Sequence, residues 1–167
     1  MASPSEPVTA YVALGSNLGD RAANLRQAIE RLGATPGVRV KDVSSFLDNP
    51  AIGGPAGSPP YLNAAAAVET TLPPDVLLHR LLSIEHEMGR VRRRKWEPRV
   101  IDLDLLLHGE CVVVSESLVL PHPRLHQRAF VVLPLLELAP ELRWRGGERL
   151  DALLPGLAGQ RLAKLDR

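Results

Sequence analysis

Two aspartates one residue apart, Asp102 and Asp104 in "RVIDLDLLLHG", are the residues whose spacing could most directly do chemistry. In an extended segment, residues two apart leave the same face, so both carboxylates point together while Ile101, Leu103 and Leu105 point away. Like charges placed this way repel unless a cation sits between them. A hard divalent ion suits oxygen ligands, and magnesium takes one or two carboxylates and fills its shell with water and substrate phosphates. An isolated D-x-D is also the mark of a solvated acid pair neutralised by nearby arginines. The preceding segment shifts the balance. Residues 90–99 hold Arg90, Arg92, Arg93, Arg94, Lys95 and Arg99 against one acid, Glu97, which places six of the chain's 20 basic residues in ten positions. A basic run alone reads as a solvated loop or a nucleic-acid contact. Beside a two-carboxylate strand it gains a third reading, a polyphosphate clamp in which metal neutralises some oxygens and guanidinium forks take others. Trp96, inside the run, could stack on a base or cover the site. The sequence has no Walker-type glycine loop, no G-x-G-x-x-G and no kinase-type catalytic Asp-Asn pairing, so any ATP would be held by side chains and metal.

Elements that position these residues follow from periodicity. "VTAYVAL" (8–14) reads as a buried strand ended by Gly15. Asn17 and Asp20 resemble a capping pattern before a helix whose stripe is Ala22, Leu25, Ile29 and Leu32. "VRVKDVSSF" (38–46) alternates as a second strand, and "YLNAAAAVET" (61–70) is a third despite its alanines. A second helix begins near Pro73, carries Leu77, Leu81, Ile84 and Met88 at helical spacing, and stops at Gly89. The aspartate strand follows, then a hairpin through "ECVVV" and a short helix over about 125–138 that ends before Pro140. The order β-α-β-β-α-β predicts an α+β fold, a ferredoxin-like antiparallel sheet with helices packed against one face.

Composition bounds the rest. A length of 167 residues fits one domain, expected over 8–165 with a flexible tail at 1–7. The net charge of +1 gives no general pull toward nucleic acid or an acidic membrane. Cys111 is the single cysteine, so there is no internal disulfide and no thiolate cluster for zinc. The opening "MASPSEPVTA" lacks a signal-peptide pattern, and no apolar run approaches the roughly 20 residues of a membrane span. A cytoplasmic monomer is expected.

Four segments in order, "YVALGSNLGDR" (11–21), "NPAIGGPAGSPPYLNAA" (49–65), "IEHEMGRVRRRKWEPRVIDLDLLLHG" (84–109) and "LPHPRLHQRAFVVLPLLELAP" (120–140), closely resemble the 6-hydroxymethyl-7,8-dihydropterin pyrophosphokinase family. The resemblance implies an enzyme of folate biosynthesis, with an α/β sandwich around a ferredoxin-like sheet. It moves the terminal diphosphate of ATP to a pterin hydroxymethyl group and releases AMP. The resemblance further implies that Asp102 and Asp104 hold two magnesium ions, with Asp102 near the attacking hydroxyl. It places Arg90, Arg92 and Arg99 on the phosphates, and Glu85, Trp96, His122 and Arg128 around the nucleotide. Tyr61 and Phe130 match the pair that sandwiches the pterin, Asn63 its edge partner, and Gly15, Asn49, Pro50 and Ile52 the slot lining. Glu97 stands where the family usually has glycine, Lys95 where arginine is common, and Asn49, preceded by Asp48, where threonine is common. Arg93 and Arg94 read as solvated charge, and His79, His86, His108 and His126 as surface residues. Residues 48–60 and 90–99 read as lids.

Readings from other classes are weaker. An RNA-binding module with this element order would normally display stacking aromatics in an RNP-type motif, which this sequence lacks. A metal-dependent nuclease would use the same aspartates, but nothing else supplies its chemistry. A catalytically impaired pyrophosphokinase-like protein is the nearer alternative, and the intact aspartate pair argues against it.

Overall fold

Strand β1 (Val8–Ser16) is apolar on both faces. Ala10, Val12 and Leu14 enter one core and Tyr11 and Ala13 pack against another. A strand of this kind belongs inside a sheet covered on both sides. The computed structural model describes residues 6–49, 60–89 and 100–160 and the backbone of 163–165. β1 pairs antiparallel with β4 (Tyr61–Thr70) on one side and β5 (Asp102–His108) on the other. Helix α1 (Arg21–Gly33) links β1 to β2 (Val38–Val43), and α2 (Pro74–Glu87) links β4 to β5. With β3 (Phe46–Asn49) and β8 (Ala163–Leu165), the strands run β5-β1-β4-β3-β8, and β2 also pairs with β4. The order β5-β1-β4-β2/β3 is that of a ferredoxin-like α+β sheet, as expected. β8 is an addition at the far edge that periodicity did not mark.

Several local expectations are corrected. The strand expected over 38–46 is two strands, because Ser44 breaks it. The Ser44 amide donates to the Ala65 carbonyl (2.9 Å), while its Oγ accepts from the Ala65 amide (2.9 Å), so a side chain fills a backbone position in the ladder. Helices also cover both faces, not one. α1 and α2 bury Leu25, Leu32, Leu77 and Leu81 against one face, and α3 (Ala129–Leu138) buries Val131, Val132 and Leu135 against the other. The helix expected from about 125 is a 3-10 turn, Leu125–Gln127, followed by α3. The expected hairpin is a separate pair, β6 (Val113–Val114) with β7 (Val119–Leu120). A four-residue helix, α4 (Leu154–Leu157), lies against α3.

His108, expected at the surface, is buried. A register shift in the β1–β5 pair sets Leu105 opposite Val12 but Leu107 opposite Tyr11, so one extra residue, Leu106, is accommodated. Beyond the bulge His108 turns to the α1/α2 face, where its Nε2 meets the Leu72 carbonyl at 2.7 Å. His126 is half-buried and stacks on Trp144, with ring centroids 6.1 Å apart.

Candidate active site

Cross-strand register shows which side chains share the α3 face of the sheet. Asp102 lies opposite Gly15, Gly15 opposite Asn63, and Asn63 opposite Leu47. One step along, Asp104 lies opposite Ala13 and Ala13 opposite Ala65; on the other flank Tyr61 lies opposite Asn49. Paired residues point to the same face, so Asp102, Asp104, Gly15, Asn49, Tyr61 and Asn63 share it. Leu103 and Leu105 lie in the opposite core, as the alternation predicts. The two half-buried carboxylates therefore stand at the edge of a floor of small residues, Gly15 and Ala13. Strand spacing puts Asp102 and Asn63 on the order of 10 Å apart across Gly15.

Gly15 is the open point of that floor. A Cβ there would come 2.9 Å from Asn63 Nδ2 and 3.5 Å from Tyr61 Cδ1, so the amide and the ring both lean over the glycine. Asn49 is buried and donates through Nδ2 to Asn63 Oδ1 at 3.1 Å. That bond fixes the Asn63 amide, with its carbonyl turned to Asn49 and its NH2 turned toward Gly15. Such an oriented polar edge beside an aromatic ring can recognise a flat heterocycle.

His122, Arg128 and Phe130 are brought to the same region by the segment between β7 and α3. The His122 amide donates to the Leu106 carbonyl (3.0 Å), which ties this segment to β5. The His122 Nδ1 accepts from the Arg124 amide (3.2 Å), so Nε2 carries the proton of the neutral ring and is the donor. Burial lowers the His122 pKa from its ordinary 6.5, Arg128 and Arg124 lower it further, and Asp102 acts in the opposite direction. The Arg128 guanidinium lies 5.5 Å over the half-buried Phe130 ring. Phe130 is therefore both a packing residue of the second core and the platform for a cation.

A depressed histidine pKa makes folding pH-dependent with a definite sign. The unfolded ring takes its proton as pH falls through about 6.5, before the folded ring does. His122 thus contributes stability that is present above that pH and lost as pH falls through the lower folded pKa. Urea unfolding of His122→Asn is expected to show a shallower loss of stability between about pH 7 and 5 than the unsubstituted protein.

Glu85 sits behind the carboxylates rather than among them. It is 3% exposed, and its Oε2 accepts from the Leu103 amide at 2.8 Å. β5 is the edge of the sheet, and this helix-borne acid holds the edge amide located between Asp102 and Asp104. Glu85→Ala removes the acceptor of a buried N–H, and the expected cost is about 1–3 kcal/mol in urea unfolding.

Arg90, Arg92, Trp96 and Arg99, with Lys95 and Glu97, lie outside the described residues, as do Pro50 and Ile52 and most of both expected lids. Among the described residues no group of three or more His, Cys, Asp or Glu side chains could cage a metal. Two same-face carboxylates over a small-residue floor instead fit a hard ion that keeps sites for water and phosphate. Arg124 carried no expected role, yet it acts on His122 twice, through its backbone amide and through its charge. Arg21 and Glu137 also went unmarked; Glu137 Oε1 accepts from both the amide and the hydroxyl of Ser45, at 2.7 Å each.

The model of the 7,8-dihydro-6-hydroxymethylpterin-pyrophosphokinase (HPPK) family matches residues 11–140. This chain belongs to that family. As an HPPK family member it is a pyrophosphokinase of folate biosynthesis, a transferase. It is 48% identical over 157 residues to the 2-amino-4-hydroxy-6-hydroxymethyldihydropteridine pyrophosphokinase of Methylorubrum extorquens, covering 94% of this chain and 93% of that one. The enzyme of the same name from Haemophilus influenzae is 38% identical over 159 residues, covering 95% and 99%. Among solved structures, wild-type Plasmodium falciparum HPPK-DHPS with pteroate superposes with a TM-score of 0.71 at 13% identity, over 93% of this chain. The chain spans 43% of that longer protein, and the likeness shows the shared fold. Among the described residues no helix is long and apolar enough to cross a membrane.

Proposed function

We propose that the protein transfers the terminal diphosphate of ATP to 6-hydroxymethyl-7,8-dihydropterin, giving the dihydropterin diphosphate and AMP. The observation that carries this reading is the row Asp102–Gly15–Asn63. It sets an acidic edge and an oriented amide on one sheet face, across an open glycine. Asp102 and Asp104 would hold two magnesium ions, which would neutralise charge on the polyphosphate. Arg90, Arg92 and Arg99 take phosphate oxygens from the loop side, and Arg128 takes them from above Phe130. His122 donates from Nε2 to the nucleotide, Trp96 covers it, and Glu85 keeps the aspartate strand in place beneath it. The pterin lies over Gly15 between Tyr61 and Phe130, with its polar edge on Asn63 and with Asn49, Pro50 and Ile52 lining the slot. Its hydroxyl oxygen, beside Asp102, gives up its proton to solvent and bonds to the β-phosphorus. The bond from that phosphorus to the α,β-bridging oxygen breaks, and AMP departs. The 8–165 segment acts as one unit, as a monomer in the cytoplasm, on these two small molecules.

The test is to incubate the purified protein with ATP, magnesium and 6-hydroxymethyl-7,8-dihydropterin and to separate the nucleotides. Pterin-dependent AMP without matching ADP is expected. ADP formation, or AMP that is independent of the pterin, contradicts the reading.

A further inference from the structure

We infer that Arg21 is a positioning residue for the pterin end of the site, acting as a clasp behind the sheet. The inference rests on the slot reading given above and gives a role to Arg21, the last residue of the "YVALGSNLGDR" segment, to which the resemblance assigned none. Arg21 is the first residue of α1, directly after the cap Asp20, whose side chain accepts from the Ala23 amide. Its Nη1 donates to Asp48 Oδ1 (2.8 Å) and to the Pro60 carbonyl (2.8 Å). Asp48 and Pro60 belong to the two stems of the β3–β4 connection, because the last registered pair of those strands is Asn49 with Tyr61. One guanidinium nitrogen thus ties the departing stem to the returning one.

The clasp lies on the reverse of the slot. Asp48 is registered opposite Leu62, a residue of the α1/α2 core, whereas Asn49, Tyr61 and Asn63 face α3. Arg21 therefore does not line the slot. It fixes the backbones that carry Asn49 and Tyr61, and Asn49 in turn orients the Asn63 amide. The ion pair is partly buried, with Arg21 and Asp48 side chains 26% and 36% exposed, so it is shielded more than a free surface pair. A bridge of this kind has more effect on geometry than on stability, since exposed pairs contribute little to folding. It also gives Asp48, an unexpected residue at this position, a definite partner.

The test is steady-state kinetics of Arg21→Met, Arg21→Lys and Asp48→Asn, with Tyr61→Ala as a reference for the slot. Arg21→Met is expected to raise the pterin KM about ten-fold while the ATP KM stays within about two-fold. Lysine, which can donate to both acceptors at shorter reach, is expected to restore part of the loss. Asp48→Asn keeps the shape and the Pro60 contact, and a rise of about three-fold in pterin KM alone is expected. Should Tyr61→Ala raise the pterin KM while Arg21→Met and Asp48→Asn leave it unchanged, the clasp is wrong and the slot stands. Equal rises in both KM values also overturn the clasp, because the effect would then be general. If Tyr61→Ala itself leaves pterin KM unchanged, the slot reading fails and takes the clasp with it.

Discussion

Asp102→Asn and Asp104→Asn are each expected to lower turnover by on the order of 10³-fold with little change in the unfolding midpoint. The neutral amide keeps the size and shape of the side chain and loses the charge that would hold a divalent ion. Both positions are half-buried on the edge strand, outside the two apolar cores, so neither supports the fold through packing. Loss of activity with little change in stability is therefore the signature of a metal-binding role. An active variant contradicts the assignment, whereas an inactive variant that is also strongly destabilised would make these residues structural. Thermal unfolding beside the kinetics separates the outcomes.

Gly15→Val has the second-largest expected effect, directed at the other substrate. Gly15 lies inside β1 in extended backbone, where a β-branched residue is well tolerated. The added Cβ would nevertheless meet Asn63 Nδ2 at 2.9 Å, closer than real contacts allow, and its methyls would occupy the floor beneath Tyr61. The Asn63 amide has to leave its bond with Asn49 or the strands have to part. Pterin affinity is expected to fall about 100-fold with ATP affinity changed by less than about three-fold. Equilibrium binding of each ligand to the variant measures both. Unchanged pterin binding would show that the ring lies elsewhere.

The features legible in the sequence are those governed by short periods. Alternation alone put Asp102 and Asp104 on one face and Leu103 and Leu105 on the other, and helical spacing located α1 and α2. The six-element order then identified the sheet. The illegible parts depend on contacts between distant segments or on single insertions. Nothing in "LLLHG" announces that Leu106 bulges, yet that one residue moves His108 from the expected surface into the α1/α2 core. The apolar run of α3 showed that it is buried but not against which sheet face, so the second covered face was missed. Ser44 reads as an ordinary strand residue until its hydroxyl is seen in the place of a backbone carbonyl.

At the site itself the same division holds. Gly15, Tyr61 and Asn63 were singled out by motif position, and register puts Gly15 and Asn63 opposite each other. Arg21 and Asp48, 27 residues apart, carry no pattern that would join them. Glu85 was expected near the nucleotide, and the structure puts its carboxylate on the Leu103 amide, where it supports the strand that carries Asp102 and Asp104. These two supports, Glu85 beneath β5 and Arg21 beneath the β3–β4 stems, hold opposite ends of the same floor.

The most direct test of diphosphate transfer is to follow ATP labelled separately at its β and γ phosphorus through a single turnover with magnesium and 6-hydroxymethyl-7,8-dihydropterin. Both labels should appear on the pterin product in equal amounts, with neither in the AMP. Transfer of the γ label alone, with the β label retained in ADP, would contradict the proposed reaction.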